Sequence, residues 1–204
     1  MKDKILERVR LMFFARGFAK MTSDEIASGA GVSKRTLYKY YPEKDRLIES
    51  VMESVREDLG ALFAQELAKK ETDPMDRFRA IVLGITAYGS RFSKIFMSDL
   101  QKVRPDEVQK MIAFRTERLR SLGSLLREGQ KAGVVRKGLD ANLSVEILLA
   151  AMNGVMTPEF LAGGKYSFAT AADGIFELFF RGVLEPGAVR VQKQRYRKVN
   201  NRAN

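Results

Sequence analysis

Residues 22–47 read TSDEIASGAGVSKRTLYKYYPEKDRL, and their spacing is that of two short helices around a glycine corner. Thr22 is placed to cap the first helix, and Glu25 three positions on completes a capping box. Ile26 and Ala30 give that helix one buried side. Gly31 suits the tight corner, where the backbone favours a residue free to take positive φ. Ser33 is the next cap. Val32, Thr36–Leu37 and Tyr40–Tyr41 then follow at helical spacing until Pro42 ends the run. The pattern is a helix-turn-helix with a recognition helix of about two turns. It implies contact with DNA.

The surrounding residues resemble the N-terminal pattern of TetR-family transcriptional regulators. Thr22 is followed by Ile26-Ala27, one step later than in the family pattern. Then come Ala30-Gly31-Val32-Ser33, Leu37-Tyr38, Tyr40-Tyr41, and Lys44 with Leu47. Upstream, Phe14 and Gly17-Phe18 match the aromatic and glycine at the end of the family's first helix. The resemblance spans roughly residues 2–50. It implies an all-α chain with an N-terminal three-helix DNA-binding domain and a C-terminal helical domain that binds a ligand and dimerises. One position departs: the family often carries Gly where Arg35 stands, so the family's base preference does not carry over.

Composition agrees with a polyanionic partner. The 204 residues hold 36 Lys plus Arg against 25 Asp plus Glu, a formal net charge of +11, and such a surplus favours nucleic acid. Charge alone fits a solvated basic surface equally well; the helix-turn-helix decides between them. With no Cys and no His, thiol sensing, disulfides, an ordinary structural zinc site and histidine acid–base chemistry are all excluded. No cofactor is called for. The first residues alternate charged and apolar side chains rather than forming a signal peptide. The longest apolar run, 147–158, is shorter than the ~20 residues of a membrane span. The expectation is a cytoplasmic protein without a membrane partner.

Outside the helix-turn-helix, helical periodicity continues and no period-2 strand is evident. A first helix over 2–16 carries Ile5, Val9, Met12 and Phe13 on one side. A long helix over 43–70 carries Leu47, Val51, Val55, Leu59, Leu62 and Leu67, and is long enough to link two domains. Asp73-Pro74 starts another, with Phe78, Ile81, Val82, Ile85, Tyr88 and Phe92 on its apolar face. A short helix and turn over 96–104 precede Pro105, from which one helix runs to Ala132 before Gly133. Asp140 caps a helix continuing to about 161, and 168–184 is the last. The tail is basic and predicted to be disordered. The resulting division is 1–46 for DNA binding, 47–186 for effector binding and dimerisation, and 187–204 for the tail.

Side chains at the N-terminal end of a recognition helix reach base edges, and flanking residues hold phosphates. Lys34, Arg35, Thr36 and Lys39 are the base-reading candidates. Arg35 suits a bidentate contact with guanine, and Lys39 fits a phosphate or solvent as well as a base. Thr22, Ser33, Tyr38, Tyr40 and Lys44 are the phosphate candidates. Tyr41 belongs to the core.

In the second domain, Phe92, Phe96, Met111, Phe114, Met152 and Met156 could enclose an adaptable apolar effector, or equally form ordinary core. Arg115 and Arg118 share a face with Met111. Inward, they would meet an anionic group; more often such arginines snorkel outward or pair with a carboxylate. The helices near 140–161 and 167–184 are apolar on nearly all sides, more than one small domain readily buries. They are therefore expected to form a homodimer interface through Met152, Val155, Ile175, Phe176, Phe179 and Phe180. A four-helix interface is also what the resemblance implies. The leading reading is a homodimeric regulator, a repressor released from a palindromic operator by a small, largely apolar effector. The alternative is an effector-independent, architectural DNA-binding module. An all-α enzyme is disfavoured, because Asp99, Asp106 and Glu107 are scattered without catalytic or metal-ligand spacing.

Overall fold

A computed structural model describes residues 1–163 and 166–188. Among these it contains eleven helices and no strand, only a single antiparallel bridge between Val135 and Leu184. They are α1 (Lys2–Arg16), α2 (Ser23–Ala30), α3 (Lys34–Tyr40), α4 (Lys44–Ala68), α5 (Pro74–Gly89), α6 (Lys94–Val103), α7 (Pro105–Ser121), α8 (Gly123–Lys131), α9 (Ala141–Val155), α10 (Pro158–Gly163) and α11 (Phe168–Val183). From residue 189 on, the basic tail lies outside the described residues.

Two predicted helices are divided, each for a local reason. The helix expected from Pro105 to Ala132 breaks at Leu122, whose N–H turns to the Leu119 carbonyl at 2.9 Å. Ser121 and Ser124 bond back to the carbonyls of Arg118 and Ser121, an arrangement that bends helices. The small step lets Leu119, Leu122, Leu125 and Leu126 all be buried. The helix expected to reach residue 161 stops at Val155. Pro158 lacks an N–H and biases the residue before it away from helical backbone; α10 begins on it.

Two apolar clusters form. One gathers α1, α2, α3 and the first half of α4 around Val9, Phe13, Leu37, Leu47 and Val51. The other lies among α5, α8, α9 and α11 around Phe78, Leu122, Leu148 and Phe176. The long helix α4 supplies Leu47 through Val55 to the first cluster and Phe63 to the second. Its far end is fixed by Arg77, which is fully buried and donates to the carbonyls of Glu66 and Leu67 while pairing with Glu128 at 2.6 Å. A helix end that would leave its carbonyls unsatisfied is thereby closed by a cation.

The helix α6 departs from the expected division at 46/47. Its Phe96, Met97 and Leu100 pack in the N-terminal cluster, together with Leu161 of α10. Asp99 of α6 accepts the N–H groups of Phe18 and Ala19 at 2.6 and 2.8 Å, and the Ser93 N–H donates to the Phe14 carbonyl at 2.9 Å. Gly17, with φ of 74°, allows this approach, because a Cβ there would run into Asp99 and Ile95. The helical body therefore grips the end of α1 directly.

Candidate nucleic-acid interface and ligand cavity

The helix-turn-helix is built from contacts that its own sequence supplies. Thr22 and Glu25 form both halves of the capping box, an arrangement of a kind in which the cap alone contributes about 1 kcal/mol. Gly31 is left-handed, with φ 70° and ψ 35°, and a Cβ there would strike the Arg8 guanidinium. That guanidinium donates to the Ala30 carbonyl at 2.9 Å and closes the end of α2. Ser33 caps α3 through the Thr36 N–H at 3.2 Å. Leu37 and Tyr41 turn inward and are buried, so the other face of α3 is left to solvent.

On that face Lys34, Arg35 and Lys39 are exposed and Thr36 is half-buried. Their electrostatic states differ. Lys34 pairs with Asp24 at 3.0 Å, which raises its pKa. Arg35 has no ion pair or hydrogen bond among the described residues, and Lys39 only lies over the Tyr40 ring at 5.9 Å. Two cations on successive turns of one helix thus face outward uncompensated, which is the chemistry of a polyanion contact.

Behind this unit a cavity of about 110 Å³ opens among α4, α5, α6, α7 and α9. Its wall is largely apolar and includes Met52, Val55 and Leu59 of α4, Ile85 and Tyr88 of α5, and Met97 and Leu100 of α6. The polar groups among its lining residues include Arg115, Arg118 and Glu107. Tyr88 presents its ring to the cavity while its hydroxyl donates to Asp58 at 2.9 Å; Asp58 in turn pairs with Arg10 of α1 at 2.6 Å. Burial first, then the bond to Asp58, push the Tyr88 phenol up to about 12.

Residues 5–51 match the family model of bacterial regulatory proteins of the TetR family, and residues 71–183 match that of the tetracyclin repressor-like C-terminal domain. The chain belongs to the TetR family. It is a DNA-binding transcriptional regulator of that family, whose members are not enzymes. The nucleoid occlusion factor SlmA of Salmonella paratyphi A is 29% identical over 170 residues, covering 81% of this chain and 85% of that protein. The HTH-type transcriptional regulator YvaF of Bacillus subtilis is 22% identical over 183 residues, covering 90% of this chain and 95% of its own. A transcriptional regulator from Cytophaga hutchinsonii shares the fold with a TM-score of 0.68 at 17% identity, covering 90% of this chain and 98% of that one. Among the described residues of this TetR-family chain, no helix is long and apolar enough to cross a membrane.

The phosphate candidates are less uniform than their sequence positions imply. The Lys44 ammonium donates to the carbonyls of Ala19 and Met21 at 3.1 and 2.7 Å, and its burial lowers its pKa. It latches the α1–α2 loop, leaving one donor at most. The Thr22 N–H and hydroxyl are both engaged by Glu25. Ser33 bonds within α3, to the Thr36 N–H and hydroxyl. The Tyr38 hydroxyl meets Ser23 at 2.8 Å on the exposed surface, and Tyr40 is half-buried. The latch was hidden in sequence because its carbonyls lie 23 and 25 positions away.

Of the residues expected around a ligand, Phe92, Met111, Phe114, Arg115, Met152 and Met156 line the cavity. Phe96 does not. It is buried against Phe14 and Phe18, ring centroids 5.1 and 5.9 Å apart, because α6 turns that side to α1. The contribution of α4 was missed, although Val55 and Leu59 already stood on its apolar stripe.

The expected interface residues are also redistributed. Met152, Phe176 and Phe180 are buried within the chain itself, and Val155, Ile175 and Phe179 are half-buried. Phe180 packs edge-on against Phe78 at 5.2 Å. The outward apolar residues are instead Leu143 and Ile147 of α9 and Leu178 of α11, 60%, 60% and 76% exposed. Both helices have an intrachain face and an outer one, which an all-round apolar pattern cannot separate.

Proposed function

We propose that this regulator acts as a homodimer, reading a palindromic operator with one α3 from each protomer in successive major grooves ~34 Å apart. The reading rests above all on Arg35, exposed at the start of α3 and without a partner among the described residues. Residues 1–46 would serve as the reading unit and 47–186 as the body that binds effector and dimerises. The outer face of α9 and α11 supports pairing. Leu143, Ile147 and Leu178 are exposed on it, and Gly154, Gly174 and Gly182 have open space where a Cβ would stand. Leu143 with Ile147, and Gly174 with Leu178 and Gly182, follow at four-residue spacing and so share a face of their helix; exposed apolar side chains on such a face suit a partner chain, and small residues let helices approach closely.

The cavity supports a repressor released by a small, largely apolar effector. Its wall includes Met52, Val55 and Leu59 of α4, the helix that directly follows the recognition unit. A ligand that favours one position of α4 would alter the spacing of the two recognition helices and lower operator affinity. The protein would work on DNA in the cytoplasm. A second reading, a DNA-binding module without an effector, is favoured by the likeness to a nucleoid occlusion factor. Fluorescence anisotropy on a selected operator separates the two. Loss of binding on adding small amphipathic molecules supports release; binding indifferent to every ligand that raises the melting temperature supports the second reading.

A further inference from the structure

Arg115 and Arg118 lie one turn apart on α7, and both reach the cavity. Arg115 donates from Nε and Nη2 to the Asn153 side-chain oxygen at 3.0 and 2.7 Å, and from Nη1 to the Met156 carbonyl at 3.2 Å. Among the described residues no carboxylate faces it, and burial alone pulls its pKa down to about 10. Taking a cation out of water without a counter-charge is costly. Arg118 lies over the Phe114 ring at 5.4 Å, and its buried Nε has no hydrogen-bond partner among the described residues.

The carboxylate on the cavity wall does not answer either charge. Glu107 is fully buried and already meets Arg56 and Lys110, both at 2.7 Å, and Arg104 at 3.4 Å. Three cations surround it from α4 and from the start of α7. The cavity therefore joins an apolar wall to two guanidinium groups whose positive charge is uncompensated.

We infer that the cavity takes a small amphipathic carboxylate, its head group held between Arg115 and Arg118. Three of the five Arg115 N–H groups are taken by Asn153 and Met156, which leaves one each on Nη1 and Nη2 for the carboxylate, and Arg118 Nε supplies a donor that lacks an acceptor. The tail lies against the apolar wall. A cavity of about 110 Å³ is smaller than the ~150 Å³ apolar cavity that holds benzene, so the tail is a short chain of at most about five carbons. This inference rests on the effector reading above and specifies its chemistry.

Hexanoate, pentanoate, hexanol and hexylamine, titrated into the full chain by calorimetry and thermal shift, test it. The two acids bind and raise the melting temperature by mass action, whereas hexanol binds more weakly and hexylamine does not bind. Arg118→Met weakens hexanoate about 10–100-fold, the scale of a lost charge-assisted contact, and weakens hexanol far less, so the advantage of the acid over the alcohol is lost. Arg115→Met does the same, with circular dichroism confirming the fold; Arg118→Met carries the test if Arg115→Met does not fold. Hexanol or hexylamine binding as tightly as the acids overturns the carboxylate inference and leaves the effector reading standing. No binding by any of the four overturns both.

Discussion

The two ends of this molecule handle arginine in opposite ways. Arg35 stands on the outside of α3 in water, with no partner among the described residues, where its full hydration makes an uncompensated charge cheap to keep. Arg115 is drawn into the body, where Asn153 and the Met156 carbonyl take three of its five N–H groups and leave its charge unanswered. The first arrangement suits a partner that is itself large, charged and hydrated, so that binding releases counterions. The second suits a single anion small enough to enter a cavity. The same side chain is thus a general polyanion contact in one place and a selective one in the other, and burial makes the difference.

The largest effect is expected at the interface that would bring two reading units together. Leu178→Asp should give a folded monomer in sedimentation at micromolar concentration. Operator affinity should fall by about 10²–10⁴, the scale of a lost second attachment. A stable dimer in that variant would place the contact elsewhere than the outer face of α9 and α11. Phe176→Asp is a poorer test, because Phe176 is only 2% exposed and the substitution would unfold the body instead.

Within the reading unit, Arg35 and Lys44 have different expected roles. Arg35→Ala should cost about 1–3 kcal/mol at one base position of each half-site and relax the preference there. Lys44→Met should act differently, since Lys44 binds loop carbonyls: the melting temperature falls, and DNA of every sequence weakens alike. Equal losses on specific and random DNA for Arg35→Ala would show that it holds only phosphate.

The smallest effect concerns Tyr88, which faces the cavity and holds Asp58 and Arg10. Its folded pKa, about 12, lies above the ordinary value near 10. Its contribution to stability is therefore present in full below pH 10 and is lost as pH rises toward 12. Tyr88→Phe should remove that part of the alkaline fall in stability, measured as the difference between the two denaturation curves. Identical pH dependence in both proteins would mean that the phenol is not held as its contacts imply.

The reading unit was legible because its determinants are local. A cap, its capping-box partner, a corner glycine and a stopping proline lie within a few residues of one another, so spacing alone reveals them. The body was legible as helices but not as a site. Arg115 meets Asn153 38 positions away and Asp99 meets Phe18 81 positions away, and no local pattern announces such pairs. The same limit applies to Phe96, which spacing allowed near the cavity and packing sent to α1. The break at Pro158 is a different lesson, since the signal was present and the apolar run masked it.

Operator recognition by a dimer requires that α3 read bases as one of a pair. Selection of bound duplexes from a random pool by the purified full chain tests this most directly. Enrichment of a palindrome whose half-sites lie about 10–10.5 base pairs apart, with one position in each losing its preference in Arg35→Ala, is the predicted result. A pool that stays random through successive rounds, while the protein still binds DNA tightly at low salt, would contradict it.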